Sequence, residues 1–559
     1  MKLTYLYYTF IIFLSTCFSV FSQVKPDEKK PEPTKGAITE EIEVVRPYKP
    51  VLADASKIRR SPDLKNTKPF KPNLNYSIID KRLELNSDLR QLQAQQLDQK
   101  PVEVLKNNYA KAGLGNLNTG LAEAYFNTGA DEALQAGLYI KHLNQSGDLT
   151  QQKFSNQQAG VFGKSIQDNI TLSADLGYDR FATYFYGFDP QNPNANTKPN
   201  SQRFNLLTLK GEMVKNFQEN ATSDFAVKGD SYMLKNSFDA KENAIAFSTF
   251  YNKVWNQFNI GLNGSVDITA TKDVAMHFYN NILRANPYIK LQGKNYKLSL
   301  GINLVQEMGS NTRTNLFPSV TAEFPVVPGY ATLFGGYTGD VLKSTLRNFT
   351  SQNPYLSQNI PIENATEKSN LYGGIKGNAG SGFGFTAMLY IKSTENMPLF
   401  TNSKTTFEAF DVIYDKGNSK TVGLTGELNL KTSETLNLTG GFAMNNYNMG
   451  TQAQAWYKPD FRLYSNARLS FKEKFIFDAE VVLNGSSNGL YYNFTTPVPQ
   501  AQTVAIDSYF DLSAGAEYQL KEKIGIFLRA NNLFGNQYQR YLYYPNLGLN
   551  ILGGLNYSF

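Results

Sequence analysis

Cysteine and histidine are scarce in this chain, and their scarcity excludes several kinds of chemistry. Among 559 residues the only cysteine is Cys17, and the two histidines are His142 and His277. Because Cys17 lies in an apolar leader that we expect to be removed, the mature chain has no disulfide, thiol nucleophile or thiolate metal site. Two histidines without a recognisable context leave little room for histidine catalysis or metal binding. We therefore predict no catalytic residue, no metal site, no cofactor and no enzymatic activity.

Long apolar runs are absent after the first 22 residues, which excludes a transmembrane helix in the rest of the chain. The start has Lys2, an apolar stretch over residues 6–20 and the short sequence Val20-Phe21-Ser22. This layout is typical of a secretory signal peptide over residues 1–22, cleaved after Ser22. A retained membrane anchor and a lipoprotein signal at Cys17 are the alternative interpretations.

Aromatic residues and glycine are abundant, with 34 Tyr, 38 Phe and 42 Gly, while the mean hydropathy is −0.39. This balance suits a β-barrel, in which half of the strand residues are hidden from lipid. The net charge of +7 is modest for the length, and no basic cluster is interleaved with aromatic residues. We therefore do not expect nucleic acid as a partner.

Two regions differ in composition and in the periodicity of their apolar residues. Residues 23–104 are rich in Pro, Lys and Gln and lack periodicity, which predicts an extended segment in the periplasm or threaded through a barrel lumen. Residues 105–559 alternate between apolar and polar side chains. Near the middle, Phe258, Ile260 and Leu262 alternate with Asn259 and Gly261. Successive side chains of a strand point to opposite faces, so each strand has one apolar and one polar face.

The connections between the strands distinguish a membrane barrel from a soluble sandwich. Short turns, such as residues 167–169 and 521–523, alternate along the chain with long loops rich in polar and aromatic residues. The long loops are residues 184–201, 342–367, 446–459, 484–503 and 535–546. Transmembrane barrels have this asymmetry. The fold class that we predict is all-β, a transmembrane antiparallel β-barrel of about 22 strands over residues 105–559. An even strand count requires residues 407–430 to form one long strand.

The last strand carries a specific feature. Ile551, Leu555, Tyr557 and Phe559 share one face, which we expect to contact lipid. A final strand that ends in an aromatic residue has the form of a barrel-assembly signal, here Leu555, Tyr557 and Phe559. Its partner would be the barrel-assembly machinery, with the outer-membrane bilayer as the final environment. The alternative interpretation is an ordinary apolar strand.

The same end of the chain resembles a known family. Its motifs are Asn531-Asn532-Leu533-Phe534, Tyr538, Tyr544-Pro545, Gly548 and residues 552–559, joined by Asn353-Pro354-Tyr355-Leu356 with Glu367 after it. Together they look like the barrels of TonB-dependent receptors. The resemblance implies an outer-membrane barrel of a Gram-negative-type cell with a periplasmic C-terminus. The chain departs from the family in that residues 23–104 are too few and too proline-rich for a separate plug domain.

A short segment before the barrel also has a counterpart in that family. Glu40, Glu41, Ile42, Glu43, Val44 and Val45 resemble a TonB box, which implies TonB or another envelope protein as a partner through β-augmentation. A linker with chance Val and Glu residues is the alternative.

Without a plug, the lumen of a barrel of about 22 strands must be occupied by something else. We consider inward-folded loops, residues 47–100 threaded through the lumen, or another protein.

Aromatic clusters follow two strands. They contain Phe181, Tyr184, Phe185, Tyr186 and Phe188, and then Tyr538, Tyr541, Tyr543 and Tyr544. Their positions favour an interfacial girdle, with a ligand-stacking surface as the alternative.

The function that we predict is uptake or passage of a solute across the outer membrane. A structural or assembly subunit that transports nothing is the alternative, and an outer-membrane enzyme is a third interpretation.

Overall fold

A computed structural model describes residues 108–559, except residues 129–132, 191–197, 217–220, 257, 381, 433–434, 473 and 494–497. The predicted signal peptide, the extended segment of residues 23–104 and the hexapeptide Glu40–Val45 lie outside the described residues. Their boundaries and roles stay predictions. Within the described residues no helix is long and apolar enough to cross a membrane.

Twenty-two strands form one antiparallel sheet. These barrel strands are β1 (Tyr109–Gly115), β2 (Thr119–Asn127), β3 (Leu134–Ser146), β4 (Lys153–Ile166), β5 (Ile170–Tyr184), β6 (Ser201–Lys215), β7 (Ser223–Asn236), β8 (Lys241–Trp255), β9 (Phe258–Lys272), β10 (His277–Gln292), β11 (Lys297–Gly309), β12 (Arg313–Val327), β13 (Ala331–Leu342), β14 (Ala365–Asn378), β15 (Phe383–Asn402), β16 (Phe410–Thr432), β17 (Leu436–Asn448), β18 (Phe461–Phe471), β19 (Phe475–Asn484), β22 (Tyr509–Lys521), β23 (Ile524–Asn531) and β26 (Asn550–Ser558). The connections contain helix α1 (Leu346–Gln352), the hairpin of β20 (Ser487–Asn493) and β21 (Gln500–Ile506), and the short pair β24 (Gln539–Tyr541) and β25 (Tyr544–Pro545).

The sheet closes on itself. Each barrel strand pairs with the next one along the chain, and β26 pairs with β1 in a register that places Ser558 beside Tyr109. The amide of Asn108 also donates to the carbonyl of Phe559, and the amide of Phe559 donates to the carbonyl of Asn108. The predicted 22-stranded antiparallel barrel is confirmed. So is the single long strand expected at residues 407–430, which is β16.

The alternation of the sequence places apolar side chains on the outer face. In β9, Ile260, Leu262 and Ile268 are exposed, whereas Asn259 and Thr269 are buried. In a closed barrel one face of every strand points outward, so the exposed apolar face is the one that contacts lipid. The polar face points to the lumen, where its side chains hydrogen-bond one another.

The two ends of the barrel differ. The end that holds Asn108 and Phe559 has only short turns, such as the one between β18 and β19, and we call it the short-turn end. The opposite, long-loop end carries five long connections, residues 185–200, 343–364, 449–460, 485–508 and 532–549. These five correspond to the five long loops predicted from the sequence. The other connections at this end have between three residues (116–118) and seven (403–409).

Candidate functional site at the long-loop end

Apolar side chains from distant loops meet over the long-loop end. The cluster includes Phe185 after β5, Leu346, Phe349, Tyr355 and Leu356 after β13, Phe410 at the start of β16, and Tyr541 and Tyr544 after β23. We call these eight residues the loop cap. Since β5, β13 and β23 are the fifth, thirteenth and twenty-first strands of the ring, their loops start far apart. Strands about 4.8 Å apart and tilted by about 40° give a ring roughly 40 Å wide. The loops therefore fold inward across the opening.

Tyr355 lies at the centre of the loop cap. Its ring stacks on that of Tyr544, with centroids 3.8 Å apart, and meets Tyr186 edge-on at 5.8 Å. The backbone of Tyr355 is held as well, because its carbonyl accepts a hydrogen bond of 2.9 Å from the amide of Phe410. Tyr355 belongs to the motif Asn353-Pro354-Tyr355-Leu356, and Asn353 caps the end of α1. The family-like motif therefore forms part of the cap that links loops across the opening.

A buried carboxylate anchors the loop of residues 343–364 to the barrel wall. Glu242 of β8 is fully buried, and one of its oxygens accepts hydrogen bonds from the hydroxyl of Thr271 and the amide of Leu346. The other oxygen accepts from the hydroxyl of Tyr232 and the amide of Arg347. The two amides belong to the first turn of α1, whose N–H groups have no partner within the helix. Glu242 thus joins three strands to the start of the helix.

The end of the same loop has a second anchor. The amide nitrogen of Asn364 donates to a carboxylate oxygen of Glu307 at 2.8 Å, and its oxygen accepts from the backbone of Ser344. Asn280 of β10 donates to the carbonyl of Ser344 and to the side chain of Asn364. Both ends of the loop are therefore tied to β10 and β11, so the loop cap rests on a fixed base.

Another carboxylate holds residues 449–460. Asp415 of β16 is buried, and it accepts hydrogen bonds from the amides of Gly450, Thr451 and Gln452 and from the hydroxyls of Ser419 and Thr451. The backbones touch here, since a Cβ atom on Gly450 would lie 2.7 Å from the Cα atom of Gly417. The loop of residues 449–460 therefore lies directly on the protruding part of β16.

A cavity lies beside the loop cap, between its tyrosines and the lumen wall formed by β18, β19, β22 and β23. The cavity is partly open to solvent. Charged and aromatic side chains line it, among them Tyr186, Tyr457, Arg462, Glu480, Tyr509, Asp511, Tyr538, Arg540 and Tyr544. The rings of Tyr509 and Tyr538 stack at 3.9 Å, and the hydroxyl of Tyr538 donates to Asp511 at 2.7 Å. Stacked rings beside guanidinium and carboxylate groups can hold a polar ligand.

Two tyrosines of the loops, Tyr544 and Tyr457, stay protonated at ordinary pH. Burial raises the pKa of Tyr544 well above its usual value, and its neighbours Tyr355 and Tyr186 raise it further. Burial likewise raises the pKa of Tyr457 well above the usual value. Each phenol can therefore donate a hydrogen bond, from Tyr544 to the carbonyl of Glu408 and from Tyr457 to the side chain of Asn402.

The structure places the predicted functional residues as follows. Leu555, Tyr557 and Phe559 are exposed on the outer face of the barrel, where the ring of Phe559 meets that of Phe126 at 6.2 Å. Their role as an assembly signal stays a prediction. The girdle interpretation is wrong for Phe185, Tyr541 and Tyr544, which are buried in the loop cap.

Sequence reasoning missed the residues that organise this end. Glu242 and Asp415 are single carboxylates on alternating strands, and no local pattern marks them as anchors. In the sequence Tyr538 is visible as part of an aromatic cluster and of the family-like motif, but neither predicts its contacts. Its partners Tyr509 and Asp511 lie on β22, a different strand. Within the described residues no three His, Cys, Asp or Glu side chains are grouped so that they could hold a metal ion.

Comparisons by sequence find no matching family model and no matching curated protein. Solved structures do match the fold. The ferripyoverdine receptor FpvA of Pseudomonas aeruginosa has a TM-score of 0.61 at 13% identity, covering 81% of this chain and 71% of its own. The ferric-catecholate import receptor Fiu of E. coli has 0.59 at 11%, covering 82% of each chain. The FrpB iron transporter of Neisseria meningitidis has 0.60 at 10%, covering 81% of each. At these identities the likeness establishes the fold.

Proposed function

We propose that this barrel, whose fold is that of the TonB-dependent receptors of the outer membrane, carries a polar solute across that membrane. The observation that carries the proposal is the cavity lined by Arg462, Arg540, Asp511 and stacked tyrosines, beside inward-folded loops at one mouth of a closed barrel. A transport barrel needs a site at its mouth that selects the solute. In this proposal the long-loop end faces the outside and the C-terminus faces the periplasm.

The chemistry of the cavity supports a polar solute. Guanidinium groups bind carboxylate or phosphate oxygens in a forked geometry, and carboxylates accept hydrogen bonds from hydroxyl and amino groups. Tyrosine rings add apolar contact area with a polar edge. The structurally similar receptors are named for ferripyoverdine, ferric catecholates and iron. The class of solute carried by this chain is left to experiment.

Energy for transport would come through residues 40–45. An extended segment with Ile42, Val44 and Val45 can add a strand to a partner sheet, because β-augmentation needs only backbone pairing and alternate side chains. The partner in this proposal is TonB or a protein of the same role in the cell envelope. The solute-binding loops and the energising segment would then act on opposite sides of the membrane.

The test compares three variants of the full chain in the native cell. Deletion of residues 40–45 and the pair Asp511→Asn with Arg540→Gln are set against Asp239→Asn, an exposed carboxylate in another loop at the same end. Growth is measured on a panel of limiting nutrients. We expect the first two variants to lose the same nutrient as the gene deletion, while Asp239→Asn grows normally.

A different outcome would favour the structural alternative. If the gene deletion and all variants grow normally on every nutrient, while the purified chain holds stoichiometric envelope proteins, then the barrel is a scaffold rather than a transporter. Purification in mild detergent, followed by identification of what accompanies the chain, provides that second measurement.

A further inference from the structure

The outer face of β3 to β8 changes from apolar to polar before these strands reach the long-loop end. On five of these strands the last exposed large apolar side chain is, in chain order, Ile140, Tyr178, Leu207, Met233 and Ile245. The next outward position toward the long-loop end holds, in the same order, His142, Arg180, Asn205, Lys235 and Asn243. The apolar band therefore ends at this level, and polar side chains continue the same face beyond it.

The polar side chains lie side by side across the sheet. One row of directly opposed residues runs over the outer face from β3 to β10 and consists of His142, Gln157, Arg180, Asn205, Lys235, Lys241, Lys272 and His277. Hydrogen bonds order its first part. Arg180 donates to the side-chain oxygen of Gln157. The amide nitrogen of Gln157 is 3.2 Å from Nδ1 of His142, whose Nε2 is 3.1 Å from Asn144. This part of the outer face is therefore an ordered polar surface.

Positive charge accumulates on the same surface. Six outward positions between the end of the apolar band and the long-loop end carry a cation, and we call them the cationic belt: Lys153, Arg180, Arg203, Lys235, Lys241 and Lys272. The outward positions of the described residues of β3 to β10 hold no Asp or Glu, because the acids of these strands point into the lumen. On the wall itself nothing opposes the belt's charge.

The turns beyond these strands supply few counter-charges. They contain Asp148, Asp239 and Asp273. Asp239 pairs with Lys235 at 3.2 Å, whereas Asp273 accepts hydrogen bonds from backbone amides. Within the part of the chain that the structure describes, the other five cations of the belt have no ion pair.

Three cations of the belt face one another. Lys235, Lys241 and Lys272 are directly opposed on β7, β8 and β9. Directly opposed side chains in an antiparallel sheet have Cβ atoms about 5 Å apart, and like charges in this position destabilise the sheet. An anion bound over the three ammonium groups removes that repulsion.

The outer face of other strands does not repeat this pattern near the long-loop end. On β11 and β12 the apolar side chains of Met308 and Leu316 remain exposed there. On β14 and β15, Lys368 pairs with Glu395 at 3.0 Å. The cationic belt is therefore a local feature of β4 to β9 and not a girdle around the whole barrel.

The surface fits a ligand that has an anionic head and apolar tails. Lys and Arg are the side chains that bind phosphate oxygens. Directly below the belt lie the exposed side chains of Tyr178, Leu207 and Met233. A free phosphate ion would contact the cations alone, whereas a lipid with a phosphorylated head contacts the cations and the apolar band together. The membrane around the barrel is a source of such lipids.

We propose that the cationic belt binds the phosphorylated headgroups of lipids in the leaflet at the long-loop end. The phosphate oxygens accept hydrogen bonds from Arg180 and Arg203 and ion pairs from the row of three lysines. The acyl chains pack on the apolar band below. Bound lipid then fixes the depth of this side of the barrel in the membrane. The binding surface is on the outside of the wall, so it does not depend on the cavity or on transport.

Native mass spectrometry of the full chain in neutral detergent tests the proposal by measuring lipid affinity. The probes are dimyristoyl phosphatidic acid, dimyristoyl phosphatidylcholine with the same acyl chains, and inorganic phosphate alone. The belt variant combines Arg180→Gln, Lys241→Gln and Lys272→Gln. The control variant combines Lys368→Gln, Lys416→Gln and Lys420→Gln, which remove the same charge from exposed positions of β14 and β16. Resistance to unfolding by detergent before heating verifies that each barrel is folded.

We expect the native chain and the control variant to bind phosphatidic acid more tightly than phosphatidylcholine. The belt variant should bind phosphatidic acid at least about tenfold more weakly than the native chain, because each Lys or Arg near an anionic lipid surface contributes roughly fivefold. Inorganic phosphate at the same concentration should not bind.

Three results would overturn the proposal. The first is a native chain without preference for phosphatidic acid, and the second is a folded belt variant that keeps the preference or loses no more than the control variant. The third is belt-dependent binding of inorganic phosphate as tight as that of the lipid, which would identify a site for a free anion. None of these measurements uses the growth phenotype described above, so the two proposals fail separately.

Discussion

At the scale of single residues, two buried carboxylates hold much of the long-loop end in place. Glu242 accepts four hydrogen bonds, two of them from a loop, and Asp415 accepts five, four of them from a loop. A hydrogen bond to a charged group contributes about 1.5–3 kcal/mol when its partners are otherwise buried. One side chain can therefore decide whether a loop such as residues 343–364 stays folded over the barrel.

Replacing Glu242 with glutamine tests this role. The amide would present N–H donors to groups that are themselves donors, either Thr271 and Leu346 or Tyr232 and Arg347. We expect a loss of about 2–3 kcal/mol and faster proteolysis within residues 343–364. Glu427→Gln, an exposed carboxylate of β16, is the matched control. Unchanged proteolysis of Glu242→Gln in a folded barrel would show that the loop is held by other contacts.

At the scale of elements, the loops are structures in their own right. β16 extends beyond its neighbour, since its pairing with β17 begins at Lys420 and residues 410–419 continue without that partner. Asp415 is in this protruding part, at the long-loop end and beyond the residues of β16 that pair with β17. Burial alone would raise the pKa of Asp415, but hydrogen bonds from Ser419, Thr451 and the amide of Gly450 hold it well below its usual value.

The pH dependence of the loop of residues 449–460 follows from that shift. A depressed pKa in the folded chain gives a stabilisation that is complete above the ordinary value, about 3.9 for Asp, and is lost only as the pH falls through the lowered one. We expect the amides of residues 450–452 to stay protected from hydrogen exchange from pH 5 to 8. Asp415→Asn should expose them throughout this range, with Asp239→Asn as the control. Loosening of the wild-type loop between pH 7 and 5 would contradict the assignment.

The tyrosine stack of the loop cap can be tested in the same way. Tyr355→Ala removes a buried ring that contacts Tyr544 and Tyr186, and substitution of a buried aromatic residue by alanine costs about 3–5 kcal/mol. We expect larger channel conductance and faster cleavage in residues 532–549. Tyr337→Ala removes an exposed ring from the outer face of β13 and should change neither measurement. A Tyr355→Ala barrel with wild-type conductance would mean that the loops do not limit passage.

Sequence reasoning succeeded with the elements and failed with the contacts between them. The five long loops follow from alternation and turn residues, which are local signals. The single long strand β16 follows from the even strand count that a closed barrel requires. The anchor between Glu242 and Leu346 joins residues 104 positions apart, so no local pattern reveals it. The sequence shows the aromatic clusters, but an aromatic residue at a lipid interface and one buried between loops occur in the same sequence pattern. Only the fold distinguishes them, as Tyr541 and Tyr544 illustrate.

At the scale of the whole molecule, the outer face is a continuous apolar surface made by every second residue of the strands. This predicts that a charged residue introduced on the outer face destabilises the barrel more than one introduced on the lumen face. Leu300→Arg, on the outer face of β11, should destabilise the folded barrel in vesicles by about 2–4 kcal/mol if it lies near the bilayer midplane. Ser299→Arg points into the lumen and should have little effect. Urea titration in vesicles measures both, and equal losses would mean that the face of β11 has been assigned incorrectly.

The pairing of β26 with β1 has a consequence for how the barrel forms. These two strands stand at opposite ends of the described chain, yet Ser558 lies beside Tyr109 in the closed ring. Until residues 550–558 have been synthesised, β1 has an unpaired edge, and such an edge attracts strands of other molecules. Closure of the ring therefore has to follow translation. Until then, another protein must cover the free edge of β1 while the chain moves from the ribosome to the membrane. The completed ring has no edge left to protect.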